Sequence, residues 1–131
     1  MTSVFSKIID RKLPAYIVSE NSSFIAFLDI NPLILGHTLV VPKKQIDYFF
    51  NLDDKSLSDI ILFSKKVSKA LKKVTKCKRV GMSVIGLEVP HAHIHLVPLN
   101  KMDDMNFGKK RVLPSSSELI SICKKIQSEI I

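Results

Sequence analysis

The stretch Val89-Pro90-His91-Ala92-His93-Ile94-His95-Leu96-Val97-Pro98 decides how this chain is read. It holds three of the four histidines in 131 residues, at positions i, i+2 and i+4. A β-strand repeats every two residues, so the three rings project from one face, neighbours roughly 7 Å apart along the strand. Ala92, Ile94 and Leu96 fall on the opposite face and suit burial against a core. An ordinary solvent-facing strand does not account for three alternating histidines in a chain with only four.

Two kinds of chemistry fit such a row. Neutral imidazoles ligate zinc, copper or iron. The outer rings start roughly 14 Å apart, however, so one ion would need a ligand from elsewhere, and His37, Glu88 and Asp29 are the candidates. Alternatively, the central imidazole attacks phosphorus and later leaves, splitting one hard transfer into two easier ones. Its neighbours then donate hydrogen bonds to phosphate oxygens or a proton to the leaving group.

The surrounding sequence supplies the frame. Ser3–Asp10 reads as a short helix with Val4, Phe5, Ile8 and Ile9 toward the core, ended before Pro14. Tyr16–Glu20 and Phe24–Asp29 read as a hairpin across the polar Asn21-Ser22-Ser23. His37–Pro42, Arg79–Ile85 and His91–Val97 are three further strands. The main helix starts at Leu52-Asp53-Asp54, where an aspartate caps free amides and favours the positive helix end. Leu57, Ile60, Ile61, Ser64, Val67, Leu71 and Val74 then recur at helical spacing. Ser115–Glu118 resembles a helix start before Leu119, Ile122, Cys123 and Ile126. Five strands with segregated helices predict an α+β fold: a five-stranded antiparallel sheet, one long helix, a short N-terminal helix and a C-terminal helix.

Composition narrows the class. The length suits one domain over residues 1–131, with about 101–131 as a C-terminal extension, and an apolar fraction of 46% suits a folded core. No apolar run is long enough for a membrane span or a secretory signal. Cys77 and Cys123 lie far apart without a C-x-x-C partner and read as reduced thiols of a cytoplasmic protein. The net charge of +8 favours anionic ligands such as nucleotides. Lys65, Lys66, Lys69, Lys72, Lys73, Lys76, Lys78 and Arg79 supply much of it. Without interleaved aromatics they read as a solvated helix face, so nucleic acid is not an expected partner. No phosphate-cradling glycine motif is present.

His91-Ala92-His93-Ile94-His95-Leu96-Val97 resembles the signature of the histidine triad (HIT) superfamily. Ser3–Ile9 with Lys12-Leu13-Pro14-Ala15, Ala26-Phe27-Leu28-Asp29-Ile30-Asn31-Pro32 and Gly36-His37-Thr38-Leu39-Val40-Val41-Pro42-Lys43-Lys44 resemble further blocks of its Hint branch. The resemblance implies a HIT-like fold, a homodimer with one purine-nucleotide site per subunit, and hydrolysis or transfer at an α-phosphate without a cofactor. Phosphoramidates and adenylates are the implied substrates. A dinucleoside polyphosphate hydrolase and a nucleotide-binding regulatory module with little catalysis are the alternatives. By motif position, His93 would be the nucleophile. His91 and His95 would flank the phosphate, His95 supplying the leaving-group proton, and His37 would complete the cluster. Asp29 would accept from ribose hydroxyls. Phe5, Ile8, Phe27, Leu28 and Ile30 would form the base slot, with plain core packing as the alternative for these five.

The chain also departs from the pattern it resembles. Ser3 and Ser6 stand where many bacterial members carry a zinc-binding C-x-x-C, so no structural zinc is expected. Leu87 replaces a polar phosphate-side residue, and Pro90 stands where an aromatic or apolar residue is usual. Glu88 is placed to act beside the phosphate, with a structural role as the alternative.

Overall fold

The computed structural model describes residues 3–130. Phe24–Leu28 (β2) and Thr38–Pro42 (β3) are buried along their whole length, so they need neighbours on both sides and cover on both faces. Ile17–Glu20 (β1), Arg79–Ser83 (β4) and Ile94–Leu99 (β5) complete one sheet of order β1-β2-β3-β5-β4, antiparallel throughout. The α+β architecture is the one the sequence predicts.

Side-chain alternation gives the sheet two unlike faces. Phe24, Ala26, Leu28, Val40, Ala92, Ile94 and Leu96 point to one face, where helices α2 (Asp54–Thr75) and α3 (Ser116–Glu129) cover them. Asp53 caps α2 by accepting from Ser56 N–H, and Ser115 caps α3 by accepting from Glu118 N–H. Ile60, Phe63, Ser64, Val67, Ala70 and Leu71 form the buried stripe of α2. The sequence reading put Ile61 on that stripe. It is 42% exposed, and Phe63 and Ala70 take core positions, because the buried stripe is rotated slightly from the one read in the sequence. The α2 lysines lie on the solvent side as expected. The C-terminal residues close the core: Leu119, Cys123 and Ile126 pack into it, and Gln127 Nε2 donates to Ile17 O at 2.6 Å.

Among the described helices, only the six-residue α1 (Val4–Ile9) covers the opposite face, and its Phe5 and Ile8 pack on Ile25, Phe27, Leu39 and Val41. Val4, expected in the core, is exposed at its edge. Ser3 and Ser6 cap α1 reciprocally. The triad strand, expected over His91–Val97, starts later and runs to Leu99, so that of the three histidines only His95 lies within it. β3 pairs with β5 only from Val40↔Ile94 onward, and Ala92 N–H instead reaches Ile46 O in the loop after β3. Two short 3-10 turns, Phe49–Asn51 and Met102–Met105, have no counterpart in the sequence reading. Among the described residues no helix is long and apolar enough to cross a membrane.

Candidate active site

Where α1 leaves the second face uncovered, a cleft of about 660 Å³ opens. Of the residues singled out in the sequence, Phe5, Ile8, Phe27, Leu28, Asp29, Ile30, Glu88, His93 and His95 line it, whereas His91 and His37 lie behind its wall. The apolar residues among them, with Val4, Pro14, Ala15 and Leu39, make a slot of the kind that takes a flat ring. Phe5 and Phe27 meet edge-to-face at 5.5 Å, and the Phe5 ring stands edge-on to His93 at 4.9 Å.

Hydrogen bonds make the three triad rings unequal. His93 Nδ1 lies 2.7 Å from the His91 carbonyl, which can only accept, so Nδ1 carries the proton. Its Nε2 therefore keeps a lone pair. Burial lowers the His93 pKa from its ordinary value, against the opposing pull of the His91 carbonyl and Asp29. The ring is thus neutral and nucleophilic near neutral pH.

His95 belongs to a directed chain. Leu33 N–H donates to His37 Nδ1 at 3.1 Å, so the His37 proton sits on Nε2. That Nε2–H donates to His95 Nδ1 at 2.9 Å, which leaves His95 with its proton on Nε2. Burial, reinforced by the neighbouring rings, pushes His37 down to about 3 and His95 to about 4. His95 was expected to supply a leaving-group proton. Without substrate the ring is neutral and presents Nε2–H as a hydrogen-bond donor, since protonating its Nδ1 would set two donors against each other. The 3.8 Å approach of His37 Nε2 to Asp29 Oδ2 is accordingly not an ion pair at neutral pH.

His91 was expected to flank the phosphate, but it has no exposed surface and both ring nitrogens are engaged. Nε2 donates to Pro42 O at 2.7 Å and Nδ1 accepts from Ser3 Oγ at 2.8 Å.

Asp29 sits at the cleft wall just past β2, with Oδ1 accepting from Asn31 N–H at 2.9 Å. Burial raises its pKa, and Arg111, 3.6 Å from Oδ2, opposes the rise. Arg111 and Phe107 were not picked out in the sequence. The loop after β5 folds back over its own chain's cleft. Asp104 accepts from the N–H groups of Asn100 and Lys101, Arg111 Nη1 donates to Asn31 O at 2.7 Å, and Val112 N–H bonds Pro32 O. Phe107 is thereby seated edge-on to His95 at 4.9 Å, with the Arg111 guanidinium 5.6 Å from its ring centre. An aromatic and an arginine isolated in a polar loop are the only local signal for this pair. On the opposite rim, Leu87 is 88% exposed and Ile85, Gly86, Glu88 and Val89 line the cleft.

Asp29, His37 and His95 offer donor atoms within 4.8 Å of one another, the spacing of a metal site. The proton order opposes that use. A metal on His37 Nε2 would need the lone pair that the Leu33 N–H has fixed on Nδ1 instead. The donor set does not fit an ion without breaking that bond.

The sheet order, the histidine face and the adjoining cleft define a scaffold in which a row of imidazoles stands beside an apolar slot. The family model for the HIT domain matches residues 10–102, and the chain belongs to the HIT family. It is 42% identical over 115 residues to an uncharacterized HIT-like protein of Borreliella burgdorferi, covering 82% of this chain and 81% of that one. It is 31% identical over 132 residues to an adenosine 5'-monophosphoramidase of Schizosaccharomyces pombe, covering 99% of each. Among solved structures, a HIT-like protein of Bartonella henselae, described as involved in cell-cycle regulation, superposes with a TM-score of 0.84 at 28% identity. The match covers 98% of this chain and 96% of that one.

Proposed function

We propose that this chain hydrolyses purine nucleoside phosphoramidates or related adenylates at the α-phosphate through a nucleotidyl-His93 intermediate. The single observation carrying this reading is the His93 ring. Its Nδ1–H is held by the His91 carbonyl, which leaves the Nε2 lone pair, and the ring lines the cleft with its centre 4.9 Å from that of His95, whose proton is on Nε2. The adenosine 5'-monophosphoramidase relative supports the substrate class.

In the proposed sequence the base enters the apolar slot of Phe5, Ile8, Phe27, Leu28 and Ile30. Asp29 accepts from the ribose hydroxyls, an acceptor-only role for a carboxylate. His93 Nε2 attacks phosphorus, the P–N or P–O bond to the leaving group breaks, and the departing atom takes a proton from water. The positive charge on the adduct imidazole rests against the His91 carbonyl. His95 Nε2–H hydrogen-bonds a phosphoryl oxygen and strengthens as charge develops there. Water then cleaves the P–N bond to His93, releases the nucleoside monophosphate and returns a proton, so protons balance over the cycle. No step calls for a metal or cofactor.

The reading includes one domain over residues 1–131, a homodimer and a cytoplasmic location. β4 is a sheet edge, paired with β5 on one side and with no second strand among the described residues on the other, and Met82, Val84 and Ile85 on and beside it are exposed, which supports pairing through that edge. Cys77 and Cys123 are free buried thiols, which suits a reducing compartment.

The direct test is release of AMP from adenosine 5'-monophosphoramidate, with rapid quenching and mass spectrometry to trap the adduct on His93. Tight AMP binding without cleavage of phosphoramidates, adenylates or dinucleoside polyphosphates would overturn the reading in favour of a binding module.

A further inference from the structure

His91 is fastened at every polar group it owns. Its Nε2–H donates to Pro42 O and its Nδ1 accepts from Ser3 Oγ. Its own N–H bonds Val89 O at 2.8 Å, and the following amide, Ala92 N–H, bonds Ile46 O at 2.6 Å. The peptide plane joining His91 to Ala92 is therefore fixed from its N–H side. Its carbonyl is the one that receives His93 Nδ1–H. One plane earlier, Gln45 Nε2–H donates to Pro90 O at 3.2 Å, while Gln45 Oε1 accepts from Ser6 Oγ–H at 2.8 Å.

The proton order in this cluster has one solution. The carbonyls of Pro42 and Pro90 only accept, so His91 Nε2 and Gln45 Nε2 donate. His91 Nδ1, on a ring kept neutral by burial, and Gln45 Oε1 are then acceptors, and they require the hydroxyl protons of Ser3 and Ser6. Ser3 Oγ in turn accepts from Ser6 N–H at 3.0 Å. Reversing any member leaves two donors or two acceptors facing each other.

We propose that Ser3, Ser6 and Gln45 are positioning residues for the nucleophile, acting through the clamped His91 backbone to aim His93, and that His91 itself does not bind phosphate. This rests on the hydrolytic reading of the cleft. A histidine nucleophile needs both one defined tautomer and placement to a fraction of an ångström, since a shift of about 1 Å costs on the order of 100-fold in rate. Here the carbonyl that fixes the tautomer is held by side chains from α1 and from the loop after β3. Helix α1 also carries Phe5 and Ile8 into the cleft, so the base slot and the nucleophile share one anchor.

The informative variant is Gln45→Glu. Its half-buried side chain keeps the shape and still accepts from Ser6, but has no N–H for Pro90 O. Ser3→Ala removes the proton for His91 Nδ1, and Ser3→Thr keeps both that proton and the helix cap. Nitrogen NMR of isotope-labelled histidine rings, recorded without substrate, reads the tautomers directly. Wild type should show His91 as the Nε2–H form and His93 as the Nδ1–H form. Gln45→Glu and Ser3→Ala should mix the His93 forms and lower kcat about tenfold, with KM changed by less than about twofold, and Ser3→Thr should restore both. The proposal is overturned if both variants keep wild-type kcat. It is equally overturned if kcat falls only in step with thermal stability while His93 keeps its wild-type tautomer. Absence of phosphoramidate cleavage by wild type would count against the hydrolytic reading instead, and the ring spectra would still decide the proton order.

Discussion

Two helices of 22 and 14 residues cover one face of the sheet, and a helix of six residues covers part of the other. On the first face the buried groups are almost all apolar, and packing alone holds them. On the second, four histidines lie within or beside the sheet, and each ring nitrogen's role follows from a named hydrogen bond. The contrast separates two tasks. The thickly covered face carries the stability of the fold. The thinly covered face leaves a cleft, and the polar groups there are kept in place by proton order where helices are missing.

The strongest break in that division comes from His93→Ala. Turnover of adenosine 5'-monophosphoramidate should fall by about 10⁴-fold or more while the unfolding midpoint moves little, read by steady-state kinetics beside a urea melt. Near-wild-type turnover would move the chemistry elsewhere. Leu71→Ala, on the buried stripe of α2 at the opposite face, should do the reverse. It removes about 3 kcal/mol of stability and leaves kcat of the folded fraction intact. A large loss of kcat at full folding would mean that the two faces are not independent.

Acid should strike the histidine face first. His37 and His95 titrate lower in the folded chain than the ordinary 6.5, so below that pH the unfolded chain takes up protons that the folded one refuses. Their neutral forms thus favour folding fully above about 6.5, and stability is lost as pH falls toward 4. The loss between pH 7 and 5 should reach about 4 kcal/mol, roughly 2 from each ring, measured by urea unfolding at each pH. A flat profile over that range would contradict the buried, neutral pair.

Much of this division is legible in the sequence. The i, i+2, i+4 spacing puts the histidines on one face and Ala92, Ile94 and Leu96 on the other, because strand geometry is local. Which histidine does what is not local. His91 differs from His93 through Ser3, 88 residues away, and Pro42, 49 residues away. Arg111 reaches Asn31 across 80 residues, and no periodicity announces it. Phe63 and Ile61 exchange places because a slight rotation of the buried stripe, too small to read from helical spacing, turns one in and the other out.

Arg111→Ala tests that long-range contact, with a smaller effect. It should raise KM for a ribonucleotide substrate about tenfold with kcat nearly unchanged, and raise it less for the 2'-deoxy analogue, because Asp29 loses its neighbouring cation. Equal effects on both sugars would detach Arg111 from Asp29. Smallest of all is a gain on the packed face. Ser64 Oγ is buried with no hydrogen-bond partner among the described residues, so Ser64→Ala should add about 1 kcal/mol in the same urea melt. A loss there would reveal a partner for the hydroxyl.

The Leu33–His37–His95 chain has one further effect. Its hydrogen bonds all run in the same direction, so their dipoles add and the positive end emerges at His95 Nε2. On the proposed reading, the substrate phosphate would meet an attractive potential built from neutral groups. Unlike a lysine or arginine clamp, such a source of attraction carries no counterion to release, and it is little screened by salt.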